Sequence, residues 1–106
     1  MEITEVKIRK FFEDKHSRLR GVVSVTIDGD IAIHDIKVVQ GENRLFAAMP
    51  SRRDENGVYR DIVHPINGSA RNMIETAVLD EYILQRDRME AELENNQHEY
   101  FHTDSQ

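Results

Sequence analysis

The sequence predicts an α+β fold: an antiparallel β-meander of about four to five strands, packed by one long C-terminal helix. Three observations predict it. Apolar, often β-branched residues alternate with charged ones over much of residues 1–63, which is the period of a half-buried strand. Short turns rich in Gly, Asn and Asp separate these runs with no helical stretch between them, so neighbouring strands should be antiparallel. After Pro65 the apolar spacing changes to that of a helix.

The elements follow in order. Ile3, Val6 and Ile8, set among charged residues, predict a first strand that runs on to Phe12. Val22, Val23, Val25 and Ile27 predict the second. Asp28-Gly29-Asp30 ends it as a hairpin turn, because Asp-Gly tolerates the positive φ of primed turns. Ile31, Ile33, Ile36, Val38 and Val39 predict the third strand, and Gly41-Glu42-Asn43 turns the chain into a fourth from Leu45 to Met49. Pro50 has no N–H to give a ladder and marks a strand end or an edge. Asp54-Glu55-Asn56-Gly57 is a further turn before a short strand from Val58 to Val63.

Ile66-Asn67-Gly68-Ser69 reads as a helix entry with Asn67 or Ser69 as the N-cap. At 100° per residue, Ala70, Met73, Ile74, Ala77, Val78 and Leu84 share a broad face that should cover the sheet. Leu79 and Ile83 fall on the opposite side. They are candidate dimer contacts, although scattered surface apolar residues are a plainer explanation. Residues 1–94 form one expected domain. Residues 95–106 hold little to bury beyond Tyr100 and Phe101 and should form a mobile, acidic and polar tail.

Composition bounds the function. The 106 residues suit one domain and contain no cysteine, which excludes disulfides, thiolate zinc sites and thiol nucleophiles. No secretory segment or membrane-spanning run is evident, so a cytoplasmic protein with no membrane insertion is expected. The net charge of −6 is unevenly placed. Residues 1–67 carry eleven basic and eleven acidic side chains, whereas residues 68–106 carry three arginines against nine acids. With a screening length of about 8 Å in physiological salt, a polyanion would sense the local patch rather than the total.

Few residues carry chemistry. His34-Asp35 resembles a metal-binding pair, but strand alternation should point the two side chains to opposite faces. His64, before Pro65, is better read as a structuring hydrogen-bond partner. No GxSxG, GxGxxG, P-loop or HExxH pattern occurs, so no enzyme, metal, cofactor or small-molecule substrate is expected. The segment Met49-Pro50-Ser51-Arg52-Arg53 stands out. Arginine forks match phosphate oxygens and guanine edges, Ser51 adds a donor, and a hairpin would return Arg60 towards the pair. On spacing alone, a solvated charged loop neutralised by Asp54 and Glu55 is the plainer reading.

The same segments carry a family resemblance. HDIKVV (residues 34–39), LFAAMPSRR (45–53) and YRDIVHPIN (59–67) resemble the signature blocks of the SpoVG family, stage V sporulation protein G. MEITEVKIRK at the start and GVVSVTID (21–28) are similar as well, so the likeness covers about residues 1–83. The resemblance implies an antiparallel sheet with a C-terminal helix, a homodimer, and a DNA-binding regulator of septation and sporulation that in some members binds RNA. It assigns DNA binding to the basic pair after MPS, here Arg52 and Arg53. Arg52 stands where the family usually has Lys, and FFEDKHSRLR (11–20) is longer than the family's usual turn. The alternative is a protein–protein adaptor in septum formation that binds no nucleic acid.

Overall fold

A computed structural model describes the backbone of residues 1–104 and the side chains of residues 1–95. The chain forms β1 (Ile3–Phe11), β2 (Leu19–Ile27), β3 (Ile31–Gln40), β4 (Leu45–Ala48), β5 (Ser51–Arg53), β6 (Tyr59–Asp61) and α1 (Gly68–Asp104). Strands β1 to β4 make one antiparallel sheet in the order β1-β2-β3-β4, and β5 and β6 pair as a separate two-stranded arm. The fold is the expected α+β meander. The segment expected as a further strand after β4 pairs only with β5.

The β2–β3 turn has two consecutive positive φ angles, 54° at Asp28 and 68° at Gly29. This is the primed geometry whose twist matches that of the flanking strands. Asp28 also ties the turn to the chain start, since its N–H donates to Glu2 O (2.7 Å) and its Oδ1 accepts the Glu2 N–H (2.8 Å).

The inward residues of β1 are Ile3, Val6, Ile8 and Phe11, which pack on the core. Their spacing of three, two and three breaks strict alternation. The register shows why: it slips between Ile3 and Glu5 and again between Ile8 and Lys10. Each slip is a bulge that adds one residue and keeps the apolar side inward. In β3, Ile33 and Ile36 are both buried although three apart, and the register with β2 shifts between Val23 and Val25. Ser24 therefore faces two residues, and the second of them, Asp35, has a φ of 63°. The strict alternation expected for His34-Asp35 does not hold at this bulge, and both residues are exposed.

The core is Val23, Val25, Ile33, Ile36 and Val38 from the sheet, closed by Ile74, Val78 and Tyr82 from α1. Asn67 is the helix N-cap: its Oδ1 accepts the Ala70 N–H at 2.7 Å. The buried stripe of α1 recurs every four residues, which differs from the expected face. Met73 and Leu84 are exposed, and Tyr82 takes a core place through its ring, 5.5 Å from that of Phe11. Leu79, expected on the outer side, packs against the core. It lies one residue, or about 100°, from Val78, so a helix docked through Val78 draws it to the edge of the contact. Ile83 stays 37% exposed. The tail expected over residues 95–106 begins on α1 and, from residue 96, lies outside the side chains described.

Candidate nucleic-acid interface

The β5–β6 arm leaves the sheet after Met49 and returns at Ile62, whose N–H donates to the Pro50 carbonyl (2.8 Å). Between these ends the register pairs Ser51 with Asp61, Arg52 with Arg60, and Arg53 with Tyr59. Directly opposed residues share a face, and successive residues alternate. Arg52 and Arg60 therefore lie side by side on one face, while Ser51 and Arg53 belong to the other. The four residues expected to act together are brought onto one arm but divided between its two faces. Adjacency in sequence is what separates Arg52 from Arg53.

Asp54 organises the turn. Its Oδ1 accepts the N–H groups of Asn56 and Val58, both at 2.9 Å, and its Oδ2 accepts Arg60 Nε at 2.9 Å. Its backbone N–H donates to Val58 O (2.9 Å), and its carbonyl accepts the Gly57 N–H (3.0 Å). The Arg60 guanidinium, followed by the backbone donors, holds the Asp54 carboxyl below its ordinary pKa of 3.8. Gly57 has a φ of 80°, and the Arg53 guanidinium lies over it, with Nη2 3.2 Å from where a Cβ would stand. In the sequence Asp54 was legible as the first residue of a turn and as local neutralisation. The Asp-x-Asn-Gly spacing was the signal for its role as a turn hub.

Electrostatically the arm is incomplete. Arg52 and Arg60 are like charges directly across a strand pair, an arrangement that disfavours pairing unless an anion answers it. Asp54 answers Arg60. Among the described residues, neither Arg52 nor Arg53 has an acidic partner within 4.0 Å. All three arginines, with Asp54, Glu55, Asp61 and Ile62, border one shallow depression of about 360 Å³, so the Arg53 side chain reaches it although its backbone position alternates with that of Arg52.

Neither His34 nor His64 lies in a metal-ligand cluster among the described residues. His64 is exposed and makes no hydrogen bond among the described residues, so the structuring bond expected at the Pro65 corner is not formed. His34 instead meets Ser24, with Nδ1 2.8 Å from Oγ. No group of three or more His, Cys, Asp or Glu residues suited to an ion occurs among the described residues, and no described helix is long and apolar enough to cross a membrane.

Comparison with known proteins agrees with the segments that built this arm. A sequence model of the SpoVG family matches residues 1–83. A protein of Desulforudis audaxviator named "putative septation protein SpoVG" is 54% identical over 82 residues, 77% of this chain and 91% of its own. Proteins of the same name from Acetivibrio thermocellus and Bacillus licheniformis are 52% identical over 82 residues and 47% identical over 94. They cover 77% and 89% of this chain, and 85% and 95% of their own lengths. The match takes in the whole sheet, the arm and the first turns of α1. The chain belongs to the SpoVG family.

Proposed function

We propose that this chain is a non-enzymatic, homodimeric, cytoplasmic regulator that binds DNA, and RNA as a second target, in the control of septation and sporulation. Its phosphate contacts are Arg52 and Arg60 on one face of the arm and Arg53 with Ser51 on the other. The septation role rests on family membership and on the names of the relatives. The nucleic-acid role rests on one observation: among the described residues, three guanidiniums sit on a hairpin that packs against no other element, and two of them lack acidic partners. Such an arm is free to enter a groove. A dimer would present two arms, which matters because a pair of phosphate contacts alone gives little affinity at cellular salt.

The test is a titration of labelled DNA and RNA at several salt concentrations. Replacing Arg52 and Arg53 with Ala should weaken binding and flatten the log–log salt slope by up to ~0.9 for each phosphate no longer held. Replacing both with Lys keeps the charge and removes the fork. Retained affinity in the Lys pair means plain attraction, and loss of sequence preference means base readout. An Ala pair that binds like the parent, with the same slope, removes the arm from the interface.

One observation favours the alternative reading, an adaptor that binds a protein of the septum. Val58, Tyr59, Ile62 and Ile66 are exposed on the arm and at its exit, Tyr59 by 70% and Ile66 by 86%. Such a cluster suits a protein surface. A nucleic-acid complex that weakens steeply with salt decides for the first reading, and none at low salt decides for the second.

A further inference from the structure

The sheet has a second face, turned away from α1. Directly paired residues across the strands share a face, so the register assigns it. Lys7 opposes Ser24, and Lys10 opposes Val22, which opposes Lys37, which opposes Ala48. The residues alternating with these on β2, Val23 and Val25, are buried in the core. Lys7, Lys10 and Lys37 therefore project from the outer face, and all three are exposed. Val22 lies directly between Lys10 and Lys37, Ser24 lies beside Lys7, and Thr26 and Ala32 continue the face past it.

At the middle of this face, Ser24 is only 6% exposed although it looks away from the core. Two longer side chains cover it. Arg9 Nε donates to its Oγ at 3.2 Å, and the same Oγ lies 2.8 Å from His34 Nδ1. A hydroxyl has one proton and two lone pairs, so Ser24 can accept from Arg9 and hydrogen-bond Nδ1 of His34 at the same time, in the direction the imidazole tautomer sets. Ser24 thus fixes Arg9 through Nε, and among the described residues its two terminal nitrogens make no hydrogen bond. Both Arg9 and His34 remain exposed. The β3 bulge is what presents His34 and Asp35 together opposite Ser24.

The charge on this face is only partly answered, and Lys10 also lies over the Phe12 ring, 4.9 Å from its centre. Glu5 stands 3.7 Å from Lys7, and the exposed Asp35 follows His34. Among the described residues, Arg9, Lys10 and Lys37 have no acidic partner within 4.0 Å. This is a basic strip on a chain whose net charge is −6. Its cations do not converge on one point, as a site for a free phosphate would require. They run across three strands spaced about 4.8 Å apart, so Lys10 and Lys37 are separated by ~10 Å, a span of about three phosphates of one nucleic-acid strand.

We propose that the outer sheet face is a second nucleic-acid contact surface, on which Arg9, held by Ser24 beside His34, and Lys10 and Lys37 bind consecutive backbone phosphates. The proposal rests on the nucleic-acid reading above and adds a surface that the arm does not supply. Contacts to phosphates carry position rather than sequence, so this face sets affinity and register while base preference lies elsewhere.

The experiment compares three proteins on one 30-nucleotide single-stranded DNA, the RNA of the same sequence, and the duplex. They are the parent, the sheet variant Arg9→Gln/Lys10→Gln/Lys37→Gln, and the arm variant Arg52→Ala/Arg53→Ala. Melting curves accompany each to show that it folds. The sheet variant is expected to bind more weakly on at least one probe, with a log–log salt slope reduced by up to ~0.9 per phosphate released and base preference unchanged. Ser24→Ala alters no charge, so it should weaken binding with the slope kept, because Arg9 and His34 lose their anchor. A sheet variant with the parent's affinity and slope on all three probes overturns the proposal while leaving the arm reading intact. Failure of the parent to bind any probe overturns both.

Discussion

Gly21 sits on β2 beneath the ring of Tyr82. A Cβ there would stand 3.2 Å from the Lys10 carbonyl and 3.3 Å from two ring carbons of Tyr82. Backbone on one side and a buried ring on the other leave little room to give. Gly21→Val should therefore destabilise by about 1–3 kcal/mol, the usual cost of overpacking, or several degrees of melting temperature in a domain this size. Gly21→Ala should cost less. An unchanged melting curve for the Val variant would mean that the Tyr82 ring moves aside freely. Tyr82 itself was not legible as a core residue in the sequence, because a phenol is ambiguous between core and surface. Burial pushes its hydroxyl pKa up, while nearby Arg86 and Arg20 oppose that rise. The N-cap was undecided in the sequence for a related reason: Asn67 and Ser69 are both good caps, and only the Asn67 bond to the Ala70 N–H tells them apart. Asn67→Ala should lower stability by ~1 kcal/mol, read as a shift in the denaturant midpoint with unchanged slope.

At the scale of elements, β2 and β3 were legible because their apolar residues are β-branched and the turns after them carry Gly or Asn. Strand β1 was read from its alternation, and β4 from the turn before it and Pro50 after it. The bulges were legible only in retrospect. Apolar residues three apart, Val6 after Ile3, Phe11 after Ile8 and Ile36 after Ile33, are phase breaks that a two-residue period cannot produce. The arm was half legible: its turn and its second strand were readable, but not that Ser51–Arg53, read as a charged loop, would pair with that strand and leave the sheet. A lone two-stranded hairpin is marginal in water, so Asp54 should decide whether this one is ordered. Asp54→Asn keeps the shape and removes the charge facing Arg60, and the amides of Asn56 and Val58 should then exchange faster with solvent than in the parent. The same carboxylate gives a pH dependence. Its folded pKa lies below the ordinary 3.8, so its contribution is complete above that value and is lost as pH falls through the depressed one. NMR signals of Tyr59 and Arg60 should therefore hold down to about pH 4 and shift below it, while those of Val23 and Ile36 stay put. Equal shifts in both sets would show that the sheet, not the arm, is titrating.

For the whole molecule the open question is how many copies act together. The helix pair expected to hold a dimer is weakened as a candidate, since Leu79 packs on its own core and only Ile83 is left outside. Helix α1 also exposes Leu84, Met89 and Leu93, but the most exposed large apolar side chains among the described residues are Tyr59, Ile62 and Ile66, on or beside an arm that packs against no other element there. An unsupported hairpin with apolar side chains has a strong reason to pair with its counterpart in a second copy, and a two-fold contact would use the same patch on both. The arm would then serve two ends, with apolar residues joining the copies and Arg52 and Arg53 carried at the junction. Light scattering of the parent should give twice the 12.4 kDa of one chain. Tyr59→Asp/Ile62→Asp should give 12.4 kDa at the same micromolar concentrations, with the sheet and helix still melting cooperatively. Ile83→Asp should remain dimeric. A dimer that survives the arm substitutions and dissociates with Ile83→Asp would place the interface on α1. In that case two arms would stand apart, each free to reach a separate stretch of nucleic acid.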